Sequence, residues 1–524
     1  MKLLAVLPFF LARALAVTQH LTLDIKNVNV APDGFSRSIV SANGTFPGPL
    51  IKAQKGDTLI IQMNNQLTDN SMRRSTTIDF DGLFFDGDNV FNSGTPWVST
   101  CPIGPNASYT YTIPLHDQTG TYWYHSQLGM QYADGLRGPL IIYDPDDPQK
   151  DMYDFDDEET IWFISDWWHV STTPMLQSYI NTHIIPVAAS TLFNGKGRYN
   201  GGEEVEFDVT TVVPGKRYRF RIINASARHD YQVSIDGVRV PARQKHNMTV
   251  IGVDGFPIEP WVSNSFNMLA GQRYDVVVTA DQPVGNYWIN TFLGGGDPAR
   301  NPELNVTFGR GILHYEGAPD AEPTGPMTEG PQGDAVIPLN DWELVPLVPE
   351  TPPPFDVEFN FVTSRTPGLA EWNINNISYV EPGIPTLVRI FDQDVVGQGD
   401  LGQKENTFVL PKNKVVQINF PPSVEDELHR SNYWVIKHND NEKVNEVNPI
   451  KRDVSGAGLG GMTLRFRTDK VGPWFFHCHI FWHMWAGLGA VMLVDPPAVL
   501  DEVHPTPEWD SLCDTYRSLP PEQQ

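Results

Sequence analysis

One segment occurs twice in the chain, and it constrains the fold more than any other feature. The first copy, GTYWYHSQLGMQYADGLRGPLIIYDP, runs from Gly120 to Pro145, and the second, GPWFFHCHIFWHMWAGLGAVMLVDPP, from Gly472 to Pro497. The two align without a gap: a glycine, aromatic residues, a histidine, a polar residue two positions on, then Gly-Leu and an apolar run. A weaker middle copy, GNYWIN from Gly285 to Asn290, resumes as GRGILHY from Gly309 to Tyr315 and lacks the paired polar positions. Recurrence of this kind marks a repeated supersecondary unit. Upstream of the copies lie alternating stretches such as GDTLIIQM (56–63) and PGKRYRFR (214–221), which predict half-buried antiparallel strands. With 43 Gly and 44 Pro supplying turns, the expectation is an all-β protein of three tandem β-sandwiches. Pro- and Asp-rich stretches at 144–157 and 317–333 read as linkers. The predicted domains are therefore 17–148, 149–318 and 319–524.

The chain opens with Met1-Lys2, an apolar run from Leu3 to Leu11 and Ala14-Leu15-Ala16, the pattern of a secretory signal over residues 1–16. Six N-x-[ST] sequons, at Asn43, Asn106, Asn224, Asn247, Asn305 and Asn376, suit the surface loops of an extracellular glycoprotein. No later apolar stretch is long enough to span a bilayer. A formal net charge of -26 argues against nucleic acid and anionic membrane surfaces as partners. Cysteines are limited to Cys101, Cys478 and Cys513, which permits one disulfide and leaves one thiol.

The second repeat copy carries the chemistry. His477-Cys478-His479 followed by His483 sets three imidazoles and a thiol within one short segment. On a strand, His477 and His479 face one side and Cys478 the other, so one segment can serve two metal centres. Thiolate with imidazole is a copper combination, and the apolar Leu488 suits a weak axial position. Three clustered buried imidazoles without partners would be costly as mere core packing.

Four stretches, GPWFFHCHIFWHMWAGL, YHSQLGMQYADGLRGP, DFDG at Asp79 to Gly82 and FPGPLIKAQKGDTL, together resemble the fungal laccases of the multicopper oxidase family over nearly the whole mature chain. The resemblance implies three tandem cupredoxin-like β-sandwich domains. It also implies a blue copper that takes electrons from small phenolic or aromatic substrates, and a trinuclear copper cluster that reduces molecular oxygen to water. Cys478 with its flanking His477 and His479 would be the catalytic electron path between them, and Cys478, His483 and Leu488 the blue-copper surroundings. The family's first H-x-H reads Asp79-Phe80-Asp81 here, and its second reads His125-Ser126-Gln127. The third motif aligns with Val424 to Ser431, which puts Val424 at the blue-copper histidine, Glu427 at a cluster histidine, and keeps His429. Superposition of the repeat copies independently sets Gln127 opposite His479. The family geometry then groups Asp81 with His125 and His479, Gln127 with His429 and His477, and Asp79 with Glu427. It also implies a Cys101–Cys513 disulfide, while Ala133 and Ala227 stand where a second bridge would be and Ala189 where a phenol-binding acidic residue would be.

These replacements predict an incomplete copper complement, no normal blue site, and a cluster pocket whose mixed carboxylate and imidazole donors suit iron, zinc or manganese. Polar residues that merely fill a vacated metal cavity are the competing expectation. Three functions follow. The first is a laccase-like enzyme of altered metal chemistry, the second a non-catalytic secreted binding protein or partner subunit of an active oxidase, and the third an ordinary laccase. A ferroxidase is a weaker variant, since this tail provides no membrane anchor.

Overall fold

A computed structural model describes residues 16–237, 245–294, 299–324, 337, 339–422, 427–438, 443–457 and 460–524. The predicted signal segment lies almost wholly outside them. Strands dominate, and they fall into three successive β units. The first unit pairs a sheet ordered Arg37–Ala42, Thr18–Val30, Thr58–Asn65, Ser108–Pro114 with another ordered Ile51–Gln54, Arg137–Tyr143, Gly120–His125, Asp79–Asp81. The second has a six-stranded and a five-stranded sheet between Ile161 and Tyr315, and the third is built on an eight-stranded sheet that runs on to Gly489–Val494.

Period-two patterning accounts for many strands. Thr58–Asn65 and Ser108–Pro114 alternate buried with more exposed side chains, because one face packs inward and the other meets solvent. Arg217–Asn224 departs from this expectation: every residue from Tyr218 on is buried, and the strand pairs parallel to Ile161–Trp167 as well as antiparallel to Arg273–Thr279. Its polar positions face other protein rather than water. Arg221 makes two bonds of 2.7 Å to Asp156, and Arg219 bonds Asp147 at 2.7 Å and Asp275 at 2.6 Å.

Both strong repeat copies fold as the same hairpin. Gly120–His125 pairs antiparallel with Arg137–Tyr143, and Gly472–Cys478 with Gly489–Val494. The opening glycines, Gly120 and Gly472, have φ of 122° and 107°, a region closed to most side chains, which is why a glycine starts each copy. The middle copy pairs likewise, Asn286–Leu293 with Arg310–Tyr315. One sequon is corrected: Asn224 is fully buried, its amide donating to the carbonyls of His229 and Met268, so it does not sit on a surface loop. Asn43, Asn106, Asn247 and Asn376 are exposed and Asn305 partly so.

Cys101 and Cys513 form the expected disulfide, closing 412 residues of sequence, and Cys478 is buried outside any disulfide. Such a link contributes about 2–4 kcal/mol. It ties the C-terminal helices Pro496–Glu502 and Leu512–Arg517 to the first unit, whose core also takes in Val499, Trp509 and Tyr516. A buried join between units is ionic. Arg273 of the second unit bonds Asp453 of the third through two contacts of 2.7 and 2.6 Å, and its Nε donates to the Thr121 carbonyl of the first at 3.0 Å. Arg273 is fully buried and Asp453 nearly so. Truncating one partner of such a pair strands the other charge in low dielectric. Arg273→Met is therefore expected to lower unfolding free energy by about 3–5 kcal/mol, with Asp453→Asn in the same chain recovering part of the loss. Denaturant midpoints of the three proteins check this; an unchanged midpoint in Arg273→Met would remove the pair from the account of domain packing.

Candidate metal centre

The two hairpins meet at the junction of the first and third units. Asp79–Asp81 pairs antiparallel with Gly120–His125, setting Asp79 opposite His125 and Asp81 opposite Trp123, so these four residues share one face of the sheet. From the other side comes Gly472–Cys478. That strand stops at Cys478, so His479 lies just beyond it rather than within a continuous strand, yet the His477 and His479 rings stay 6.2 Å apart on the same side of the segment.

Asp81, His125 and His479 converge, with one potential ligand atom from each lying within 4.8 Å of the others and no side chain more than 2% exposed. The closest pair is His479 Nε2 and Asp81 Oδ2 at 3.0 Å. Two donors on one ion at about 2.1 Å lie no more than ~4.2 Å apart, so small side-chain rotations close this group around a metal. The His125 Nδ1–H donates to the Ser126 carbonyl at 3.0 Å. That bond fixes the tautomer and leaves Nε2 as a lone-pair donor. His477 is oriented the same way, Nδ1–H to the Cys478 carbonyl at 3.0 Å. Its Nε2 meets the side-chain amide of Gln127 at 3.2 Å, and the same Gln127 Nε2 lies 3.4 Å from Met484 Sδ. Gln127 Oε1 is buried with no hydrogen-bond partner among the described residues.

The remaining expected residues are placed as follows. Asp79 is partly exposed, accepts from the Phe80 N–H at 2.8 Å, and shares with His477 a small cavity of about 40 Å³ rather than joining the clustered donors. The backbone of His429 lies directly opposite His477, with Leu428 opposite Cys478. Of Glu427 and His429 only the backbone is described, and Val424 lies outside the described residues. On the opposite side of the segment, Cys478 Sγ and His483 Nδ1 are 3.6 Å apart, both buried. Leu488 is fully buried beside them, its carbonyl accepting the Cys478 N–H at 3.1 Å. Burial, helped by the positive charges of Arg228 and Arg365, pushes the His483 pKa down to about 3, so the ring is neutral.

Several residues of this pocket escaped the sequence reading. Trp123 lies beside both His125 and His479, at 4.4 and 5.7 Å between ring centroids. Its place two residues before His125 on a strand was the available signal. The Arg273–Asp453 pair abuts Gly82, where a Cβ would overlap both side chains. Burial opposes the charge on Arg273, but Asp453, Asp254 and Asp81 hold its pKa above the usual range. Nothing in the sequence pairs residues so far apart.

Three family profiles described as multicopper oxidase match residues 24–147, 158–318 and 379–498. Laccase-4 of Thanatephorus cucumeris is 45% identical over 496 residues, covering 93% of this chain and 91% of that protein. Laccase-2 of Agaricus bisporus is 38% identical over 526 residues, covering 98% of each. The crystal structure of the laccase from Botrytis aclada superimposes with a TM-score of 0.83 at 28% identity, covering 97% of this chain and 93% of that one.

Gly271 seals the pocket behind His479. Its φ is 85°, and a Cβ there would overlap the His479 ring. Gly271→Ala is expected to destabilise the protein by about 1–3 kcal/mol, and to weaken metal binding by displacing Nε2. Thermal melts with and without added divalent metal provide the check, and a variant that melts and binds like the parent would show that this contact does not position His479.

Proposed function

The chain belongs to the multicopper oxidase family as a fungal laccase-like member, and from that premise we propose that it is a secreted oxidoreductase of reduced metal content. In this reading one divalent ion sits on Asp81, His125 and His479, and no blue copper forms. The observation that carries it is the Gln127 amide on His477 Nε2 at 3.2 Å. An N–H donor there engages the lone pair that a metal would otherwise take, so a second ion position is filled by a hydrogen bond.

Copper is the metal the family implies, and the donors present do not match four copper ions. Cys478 and His483 stand at a span that one ion can bridge, but the aligned third ligand is Val424, which cannot coordinate. In the larger pocket Asp79, Asp81 and Gln127 supply oxygen and amide groups where the family aligns imidazoles. Two imidazoles with one carboxylate fit a single iron, zinc, manganese or copper ion. Bound there, the ion supplies Lewis acidity and, where redox-active, an electron-transfer centre for oxygen and a small phenolic or aromatic reductant. The chain's own residues hold the ring orientations through Ser126 and Cys478 carbonyls, and Trp123 and Tyr132 pack against His125 to limit water.

A second reading, a non-catalytic secreted binding protein or a partner subunit of an active oxidase, draws on the 3.0 Å contact between His479 and Asp81. That contact lets donor and acceptor satisfy each other without an ion. Elemental analysis of protein expressed with copper, iron, zinc and manganese available separates the two. About one ion per chain is expected, lost in Asp81→Ala, together with no intense thiolate-to-copper band in the visible spectrum. Four coppers with a full-strength band and rapid oxygen uptake on a diphenol would overturn the proposal. No stoichiometric metal would favour the non-catalytic reading.

A further inference from the structure

A cavity of about 340 Å³ opens between the first and third units, within the roughly 300–1,000 Å³ that small-molecule sites occupy. Its walls are aromatic: Phe84, Trp434, Phe466 and Trp474 all line it. Its charged groups are Lys451, Arg467 and Lys470 against Glu350 and Asp469, a cationic excess in a chain of net charge -26. The cations differ in how far they are engaged. Lys451 is bonded to Glu350, and Lys470 to Asp86 at 2.6 Å. Arg467 has its nearest acidic partner among the described residues, Glu350 Oε1, at 3.8 Å, beyond hydrogen-bond range. Its guanidinium lies over the Trp434 ring, 5.3 Å from the centroid, and its side chain is 47% exposed. A planar fork whose N–H donors have no hydrogen-bond partner among the described residues, set beside indole and phenyl faces, is the recognition chemistry for a flat ring bearing a carboxylate.

The cavity has a smaller neighbour. Phe85 lies between, lining both this cavity and the smaller one that reaches Asp79 and His477, as does Trp474. We infer that this cavity is a binding site for a small planar aromatic carboxylate, with Trp474 and Trp434 holding the ring and Arg467 the carboxylate. Occupancy does not depend on which metal, if any, the neighbouring pocket holds, so the inference stands apart from the function proposed above.

Calorimetric titration of the full-length protein with 4-hydroxycinnamate, its methyl ester and cyclohexanecarboxylate tests it. The acid is expected to bind once per chain with a dissociation constant on the order of 0.1 mM, and the ester about tenfold more weakly. Arg467→Gln, at an exposed position, brings the acid down to the level of the ester and leaves the ester unchanged. Trp474→Leu weakens both, and the non-planar acid binds more weakly than the planar one. Circular dichroism melts of both variants establish that they fold. Absence of saturable binding to the folded parent, equal affinity for acid and ester, or undiminished acid binding by folded Arg467→Gln would overturn the assignment.

Discussion

Arg273 is the side chain on which all three β units converge. It belongs to the second unit, bonds Asp453 of the third, and donates to the Thr121 carbonyl of the first. Burying a guanidinium is unfavourable unless its donors are met, and here they are met from three directions, so the charge is tolerable only when the units are docked in one arrangement. That arrangement is what the candidate metal centre needs. Asp81 and His125 come from the first unit and His479 from the third, and neither unit alone assembles the set.

The same junction explains why side chains distant in sequence have become close neighbours of the pocket. Gly82 has no room for a Cβ because the Arg273–Asp453 pair occupies it, and Gly271 has none because the His479 ring does. The Cys101–Cys513 bridge adds a second fastening at the edge, holding the C-terminal helices on the first unit. Fold stability and ligand geometry are thus coupled through the packing of units rather than within any one sheet.

What was legible in the sequence was whatever recurs or alternates. The repeat located both ligand-bearing hairpins, strand periodicity set His477 and His479 on one side with Cys478 on the other, and the resemblance paired Cys101 with Cys513. What was not legible depends on tertiary contacts between units. Arg219 and Arg221 read as the solvent side of a half-buried strand, because an alternating pattern does not say whether water or another unit covers the polar face. Asn224 read as a surface sequon for the same reason: its amide is consumed by the His229 and Met268 carbonyls, contacts that no local pattern announces. The contact between Gln127 and His477 required two segments 350 residues apart to be seen together.

That contact shows what can meet a buried imidazole in place of an ion. An imidazole Nε2 fixed as an acceptor by its Nδ1–H bond must meet an electrophile when buried, or forfeit the free energy of a lost hydrogen bond. A metal ion is one such electrophile and an amide N–H another. Gln127 provides the N–H at the position that corresponds to His479 in the repeat, so His477 keeps its orientation and the Cys478 carbonyl keeps its donor. Asp81, His125 and His479 bring a carboxylate and two imidazoles together, and the carboxylate lies in the field of Arg273. The two halves of the pocket therefore differ in kind. In the function proposed above, one is closed by hydrogen bonding, and the other offers a carboxylate and two imidazoles to a single divalent ion.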